Sequence, residues 1–273
     1  AMDLFSRARA MGTAIDCDIY PYTAASNPLR NLMPSWLQEG GIEGTLAKLS
    51  NVDMRARLRR EIDQDGLNNF GRIPSWDAVR ISISPNLPHF AGRTVASLAE
   101  ERKIDQFEMA LNFIVEDNGQ TRVLVESISE NDVRDFVKDP NVMIGSDGNS
   151  VAPVGTTGQG RPHPRFYGTF AKVLGHYCRD LGLLSFQDAI YKMTGASAKA
   201  LGLKDRGVLK KGFKADITIF DPDKIAEKAT YEDPHQFATG VEAVFVNGVK
   251  TLHGDQHTGA LSGQTLRRQS DFL

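Results

Sequence analysis

Val142-Met143-Ile144-Gly145-Ser146-Asp147-Gly148 is a short apolar run that ends in a carboxylate. His163-Pro164-Arg165-Phe166-Tyr167-Gly168-Thr169-Phe170 follows it after a Gly-rich, charge-poor loop. A brief apolar run bounded by glycine reads as a buried strand. An acid just past that strand, then a loop, an arginine and a helix, is what a parallel strand gives when it delivers a side chain to the C-terminal rim of an α/β sheet or barrel. Asp147 is the acid around which the rest of the chain is read.

Upstream, Leu4, Phe5, Ala8 and Met11 fall at helical spacing, and Gly12 is a C-terminal stop. Residues 13–20 then read as a strand. A helix followed at once by a buried strand is the second half of a βαβ unit. The expectation is therefore a chain that starts inside a larger α/β fold. Asp18, Tyr20, Tyr22 and Ser26 fall at or just past the carboxyl end of that strand, where α/β folds build their sites. From the residues alone, the tyrosines read either as site groups or as rim packing with satisfied hydroxyls. Cys17, inside the strand, is expected to be a small buried hydrophobe.

Residues 42–49 and 53–62 read as two short helices, with Asp53 as the candidate N-cap of the second. Val79, Ile81 and Ile83 alternate as in a strand, and 123–127 is another. Residues 94–103 and 105–118 read as helices, as does 130–137, capped by Ser129. After the opening stretch, 169–181 and 185–194 read as helices, the second with Ser185 and Asp188 close to a capping box. The character changes near Arg206. Residues 215–221 and 241–246 read as strands, and Asn247-Gly248 is a strong hairpin signal. His89 is expected on a surface loop. His253 and His257 are four apart, a spacing that binds zinc on a helix face, but the surrounding glycine and strand pattern place them on an exposed loop.

With 273 residues, 41% hydrophobic and 24% charged, the chain suits one large domain or a large and a small one. A net charge of −2 and a pI of about 6.3 give no expectation of a nucleic-acid or anionic-membrane partner, which would need a basic face. Arg55, Arg57, Arg59 and Arg60 are followed by Glu61, Asp63 and Asp65, and read as a solvated helix face. No apolar run approaches the roughly 20 residues of a membrane span, and the first residues do not read as the n-region and h-region of a signal peptide. Two distant cysteines make no disulfide framework. The expected compartment is the cytoplasm.

The motifs Tyr20-Pro21-Tyr22-Thr23-Ala24, Gly145-Ser146-Asp147-Gly148, His163-Pro164-Arg165-Phe166-Tyr167-Gly168-Thr169-Phe170, Asp205-Arg206-Gly207-Val208-Leu209, Ala215-Asp216 and Val246-Asn247-Gly248 stand in one order along the chain. In that order they resemble the D-aminoacylases, the N-acyl-D-amino-acid deacylases of the amidohydrolase superfamily. The resemblance covers essentially the whole sequence. It implies an α/β fold, the C-terminal part of a metal-dependent (β/α)8 TIM-like barrel over 1–205. A helical insert would occupy about 28–140, and a small β-sandwich segment 206–273. It implies hydrolysis of a linear N-acyl-D-amino acid to a carboxylate and a D-amino acid.

In that family the metal, zinc, is bound by a His-x-His pair, a cysteine and two further histidines. All of them precede the Tyr-Pro-Tyr strand. This sequence contains no His-x-His, and Cys17 does not match the ligand cysteine, so no metal ligand is assigned here. The expectation is that a complementing N-terminal barrel segment or a second chain supplies the ligands. The resemblance implies that Asp147 is the general base that moves a proton from water to the leaving amine. It implies that Arg165, Tyr20 and Ser26 hold the substrate's α-carboxylate. His163 would orient its loop. At Ala25-Ser26-Asn27 the family more often carries Gly-Ser-Thr. Two other readings stand beside this one: a non-catalytic remnant that binds a carboxylate ligand or a partner protein, and a related amidohydrolase acting on cyclic amides.

Overall fold

The computed structural model describes residues 2–68, 70, 71, 73 and 75–267. Helix α1 (Met2–Ala10) leads through Gly12, at φ 81°, to strand β1 (Cys17–Ile19). Strand β2 (Ala24–Pro28) follows within a few residues. Helices α2 (Gly41–Leu49) and α3 (Val52–Asp65) meet at Asn51. The Asn51 side chain accepts from the N–H groups of Asp53 and Met54 at 2.9 and 3.2 Å, so Asn51, not Asp53, caps α3. Then come β3 (Val79–Ile83), α4 (Val95–Arg102) and α5 (Gln106–Glu116), the helices capped by Thr94 and Asp105. Next are β4 (Arg122–Glu126) and α6 (Glu130–Lys138), capped by Ser129 as expected. Strand β5 (Val142–Ile144) and the long loop after it lead to α7 (Arg165–Lys172). That helix continues without a break as a π-helical segment, Val173–Asp180. Helices α8 (Phe186–Met193), capped by Ser185, and α9 (Gly195–Ala200) precede the last strands. These are β6 (Ile217–Phe220), β7 (Val241–Val246), β8 (Val249–His253) and β9 (Gln256–His257).

The fold is mixed α/β, with three sheets among the described residues. Strands β1 and β5 pair in parallel, Cys17 opposite Val142 and Ile19 opposite Ile144. Strand β1 is shorter than expected and only half buried, and Cys17 is half-buried rather than buried. The second sheet is antiparallel in the order β2-β4-β3. Strand β2 falls where the sequence read as a rim loop. Its Ala-Ala-Ser-Asn-Pro composition has little strand propensity of its own. The ladder to the Val-rich β4 imposes the conformation. Residues directly opposite in such a ladder share a face. Val79, Ile81, Val123 and Val125 therefore point together, into a core with Leu98, Met109, Phe113 and Ile114. Ser26, Arg122, Leu124 and Glu126 share the other face.

A second core joins α6, β5, the π-helical segment and α8 through Val133, Val137, Ile144, Val173, Tyr177 and Ala189. Buried Lys192 closes the end of α6 by donating to the carbonyls of Val137 and Asp139. The third sheet, β6-β7-β8-β9, is antiparallel. Asn247 and Gly248, at φ 50° and 83°, make the expected hairpin turn. The Asn247 N–H donates to Asp216 at 2.7 Å, Arg206 holds the other Asp216 oxygen, and the Asn247 amide reaches the Ser262 carbonyl at 2.7 Å. Three of the quoted motifs are thus one hydrogen-bond network. His253 and His257 are exposed on the β8–β9 hairpin, and His89 is exposed on a short turn. The arginines of α3 face acids, Arg55 to Glu108, Arg57 to Glu61 and Arg59 to Asp63 and Asp105. No helix among the described residues is long and apolar enough to cross a membrane.

Candidate active site

Strand β5 carries the chain to Gly145, whose N–H donates to the Ile19 carbonyl at 3.1 Å and so prolongs the β1–β5 pairing. A Cβ at Gly145 would lie 2.0 Å from the Asp18 carboxylate, so a larger residue here would require the Asp18 side chain to move. The chain then turns. Ser146 accepts from the Gly148 N–H at 3.2 Å, and Asp147 takes φ 44°, a left-handed conformation that aspartate tolerates better than most residues. The turn throws the Asp147 side chain outward, where it is 71% exposed.

Arg165 reaches back to this turn from the first position of α7. Its Nε donates to the Asp147 carbonyl at 2.9 Å, and its Nη2 lies 2.8 Å from the Asp147 carboxylate. The arginine side chain is only 5% exposed. Its guanidinium stacks over the Tyr20 ring at 4.8 Å and over Phe166 at 5.6 Å. A fork held flat by rings and pinned through Nε has little rotational freedom.

His163 sets the start of that helix. It is fully buried. Its Nδ1 accepts from the Arg165 backbone N–H at 3.0 Å, so Nε2 carries the ring proton and donates to the Ala24 carbonyl at 2.8 Å. One ring therefore ties α7 to β2. Burial pushes its pKa down to about 3, and the Arg165 and Lys172 cations act in the same direction against the Ala24 carbonyl. The imidazole is neutral at neutral pH. Tyr20, Tyr22 and Tyr231 surround it edge to face at 5.0 to 5.8 Å. Tyr22 donates to Glu227 at 2.8 Å, Lys172 pairs with Glu227 at 2.9 Å, and the Tyr231 hydroxyl accepts from the Ala24 N–H at 3.2 Å. Burial raises the pKa of all three tyrosines.

The loop between Asp147 and His163 is pinned at its far end. Ser82 and Arg161 exchange two hydrogen bonds of 2.8 Å. The Gly160 carbonyl accepts from His235 Nε2 at 3.2 Å, and His235 Nδ1 accepts from the Tyr167 hydroxyl at 2.9 Å.

Of the four residues that the sequence singled out, Asp147, Arg165 and Tyr20 come together. Ser26 stands on β2, two residues beyond Ala24. Among the described residues no hydrogen bond joins it to the other three. Glu227 and Tyr231 were not singled out. They lie more than 200 residues from the tyrosine and strand that they meet, and no local pattern marks them. His163 carries more than loop orientation, since both ring nitrogens are committed.

Among the described residues no three His, Cys, Asp or Glu side chains gather as a ligand set. The groups around Asp147 are cationic and aromatic, so these residues do not by themselves fit a metal ion.

The model of the amidohydrolase family matches residues 68–251. The chain belongs to the amidohydrolase family. It is 37% identical over 181 residues to a D-aminoacylase of Alcaligenes xylosoxydans xylosoxydans, covering 66% of this chain and 35% of that protein. It is 30% identical over 242 residues to an N-acyl-D-glutamate deacylase of the same organism, covering 89% and 39%. The crystal structure of N-acyl-D-glutamate deacylase from Bordetella bronchiseptica, complexed with zinc and a phosphonate mimic of the tetrahedral intermediate, superposes with a TM-score of 0.72 at 27% identity. A D-aminoacylase crystal structure superposes at 0.71 and 30% identity. Each alignment covers 97% of this chain and 45% of the solved one. The chain thus spans 35–39% of the length of the curated relatives it matches and a little under half of the solved structures.

Proposed function

We propose that this chain is the substrate-anchoring and proton-handling part of a metal-dependent N-acyl-D-amino-acid deacylase. The observation that carries the reading is the Asp147–Arg165 pair. An exposed carboxylate is held on a left-handed turn, at a strand's carboxyl end, by a buried guanidinium. A carboxylate so placed takes a proton from an attacking water and returns it to the leaving amine. A flat guanidinium with an unused edge takes the α-carboxylate of the substrate. Tyr20 holds that fork in plane, and Ser26 adds a hydroxyl from the neighbouring strand. The likeness to D-aminoacylase and to N-acyl-D-glutamate deacylase supports the substrate class. The zinc in the Bordetella enzyme supports the cofactor. The metal would supply the Lewis acid that activates water, and its ligands would come from polypeptide outside these 273 residues, in a complementing barrel segment or a second chain.

In this reading β1 and β5 are parallel strands of the barrel within 1–205. The β2-β4-β3 sheet and its helices form the insert of about 28–140, and 206–273 is the small β segment. The work would be done in the cytoplasm.

The test is release of free amino acid from N-acetyl-D-leucine, N-acetyl-D-glutamate and their L-enantiomers by the zinc-loaded native protein, prepared with the polypeptide that completes its metal site. Turnover of the D-forms alone is expected. Binding of the D-forms without turnover would replace the enzyme by the carboxylate-binding reading. Turnover of cyclic amides in preference to linear ones would move it to the related amidohydrolases.

A further inference from the structure

Arg122 is the first residue of β4, the central strand of its sheet, with Pro28 opposite on one side and Ile83 on the other. It shares a face with Ser26, which stands opposite Leu124 and therefore diagonal to Arg122. Diagonal neighbours on one sheet face lie within reach of long side chains. This is the face turned away from the apolar core of Val79, Ile81, Val123 and Val125.

The guanidinium is half-buried, and among the described residues it has no hydrogen bond and no ion pair. The nearby carboxylates are taken. Asp147 is held by Arg165, and Glu126, on the same face of the same strand, faces Arg80 at 3.8 Å. The neighbouring charges add to the anomaly. Burial pulls the proton affinity of Arg122 down, the Arg165 and Arg30 cations pull it further, and only Asp147 opposes them. Arg30 is tied to the Gly119 carbonyl. A half-desolvated cation beside two others, with no anion of its own, is a costly arrangement unless an anion from outside completes it.

We propose that Arg122 is a specificity-determining residue that binds a second substrate carboxylate, so that the preferred substrates are N-acyl-D-amino acids with an acidic side chain. The inference rests on the deacylase reading, in which Arg165 takes the α-carboxylate. One guanidinium then serves each carboxylate, with Ser26 diagonal to Arg122 on the same sheet face. The relatives do not decide the point, because they include a general D-aminoacylase as well as deacylases of N-acyl-D-glutamate and N-acyl-D-aspartate.

The experiment compares kcat/KM for N-acetyl-D-glutamate and N-acetyl-D-glutamine, an acidic and a neutral side chain of one shape, in the zinc-loaded native protein with its complete metal site. The native protein is expected to favour the glutamate. The Arg122→Gln variant is expected to lower the Glu/Gln ratio by roughly tenfold to hundredfold, the worth of one hydrogen-bonded charge pair. Arg122→Lys, which keeps the charge and loses the fork, should fall between them. A native ratio at or below one overturns the proposal without any variant. A ratio that Arg122→Gln leaves unchanged overturns it while the deacylase reading stands. Absence of turnover with every N-acyl-D-amino acid overturns the deacylase reading and the proposal with it.

Discussion

Replacing His163 by glutamine tests how α7 is held to β2. The ring is fully buried, accepts from the Arg165 N–H and donates to the Ala24 carbonyl. Glutamine keeps one acceptor and a donor but cannot titrate. In the folded protein the His163 pKa lies near 3, against 6.5 when free. Between those values the unfolded chain binds a proton that the folded one refuses. The stability owed to the neutral ring is thus complete above pH 6.5 and drains away as the pH falls towards 3. Each pH unit in that window is worth about 1.36 kcal/mol, so lowering the pH from 7 to 5 removes about 2 kcal/mol through this one group. Urea unfolding at both pH values, on the native protein and on His163→Gln, isolates the effect, because every other titrating group cancels in the double difference. The native protein should lose about 2 kcal/mol more than the variant. Equal losses would mean that the ring is charged or solvated in the folded state and does not tie α7 to β2 as a neutral group.

Asp147→Asn keeps a residue that tolerates the left-handed turn and removes the proton acceptor. Steady-state kinetics should show kcat down by about 10²–10⁴ with KM little changed, and activity within threefold of native would remove Asp147 from proton transfer. Asp216→Ala deletes the acceptor shared by the Asn247 N–H and Arg206. It should destabilise the last sheet by about 1–3 kcal/mol, read as a lower thermal midpoint. An unchanged midpoint would show that the network is ornamental.

Features fixed by adjacent residues were legible in the sequence. Ser129 and Ser185 cap their helices through an N–H three residues on, and Asn247-Gly248 turns its hairpin, because each needs only a side chain and a nearby backbone group. The Asn51 cap escaped because Asp53, two residues later, carries an equally suitable side chain. Strand β2 escaped for a different reason: Ala-Ala-Ser-Asn-Pro becomes a strand only because β4 lies beside it. The π-helical segment has no local cue either. At Gly175 a Cβ would meet the Ile225 carbonyl at 2.4 Å, a contact made across about 50 residues of chain. Helix α7 begins four residues earlier than its apolar spacing suggests, since buried His163 supplies the acceptor for its first N–H.

The two groups of the proposed site were visible as Ser-Asp-Gly and His-Pro-Arg, but their dependence on each other was not. Taken separately, an aspartate suggests a base and an arginine suggests a clamp. Arg165 Nε grips the backbone carbonyl of Asp147 while Nη2 grips its carboxylate, so the clamp also sets the direction of the base. The guanidinium is in turn fixed by Tyr20 and by the helix start that His163 determines. Loss of Arg165 therefore cannot act on substrate affinity alone. It frees the turn at Asp147, and in the proposed site kcat is expected to fall together with a rise in KM. Arg165→Lys separates the two duties, since an ammonium still attracts a carboxylate but cannot hold a carbonyl and a carboxylate oxygen in one plane. If that variant lowers kcat by at least as large a factor as it raises KM, positioning of the base is the greater part of what Arg165 does. A rise in KM with kcat unchanged would reduce Arg165 to the simple clamp that the sequence alone suggests.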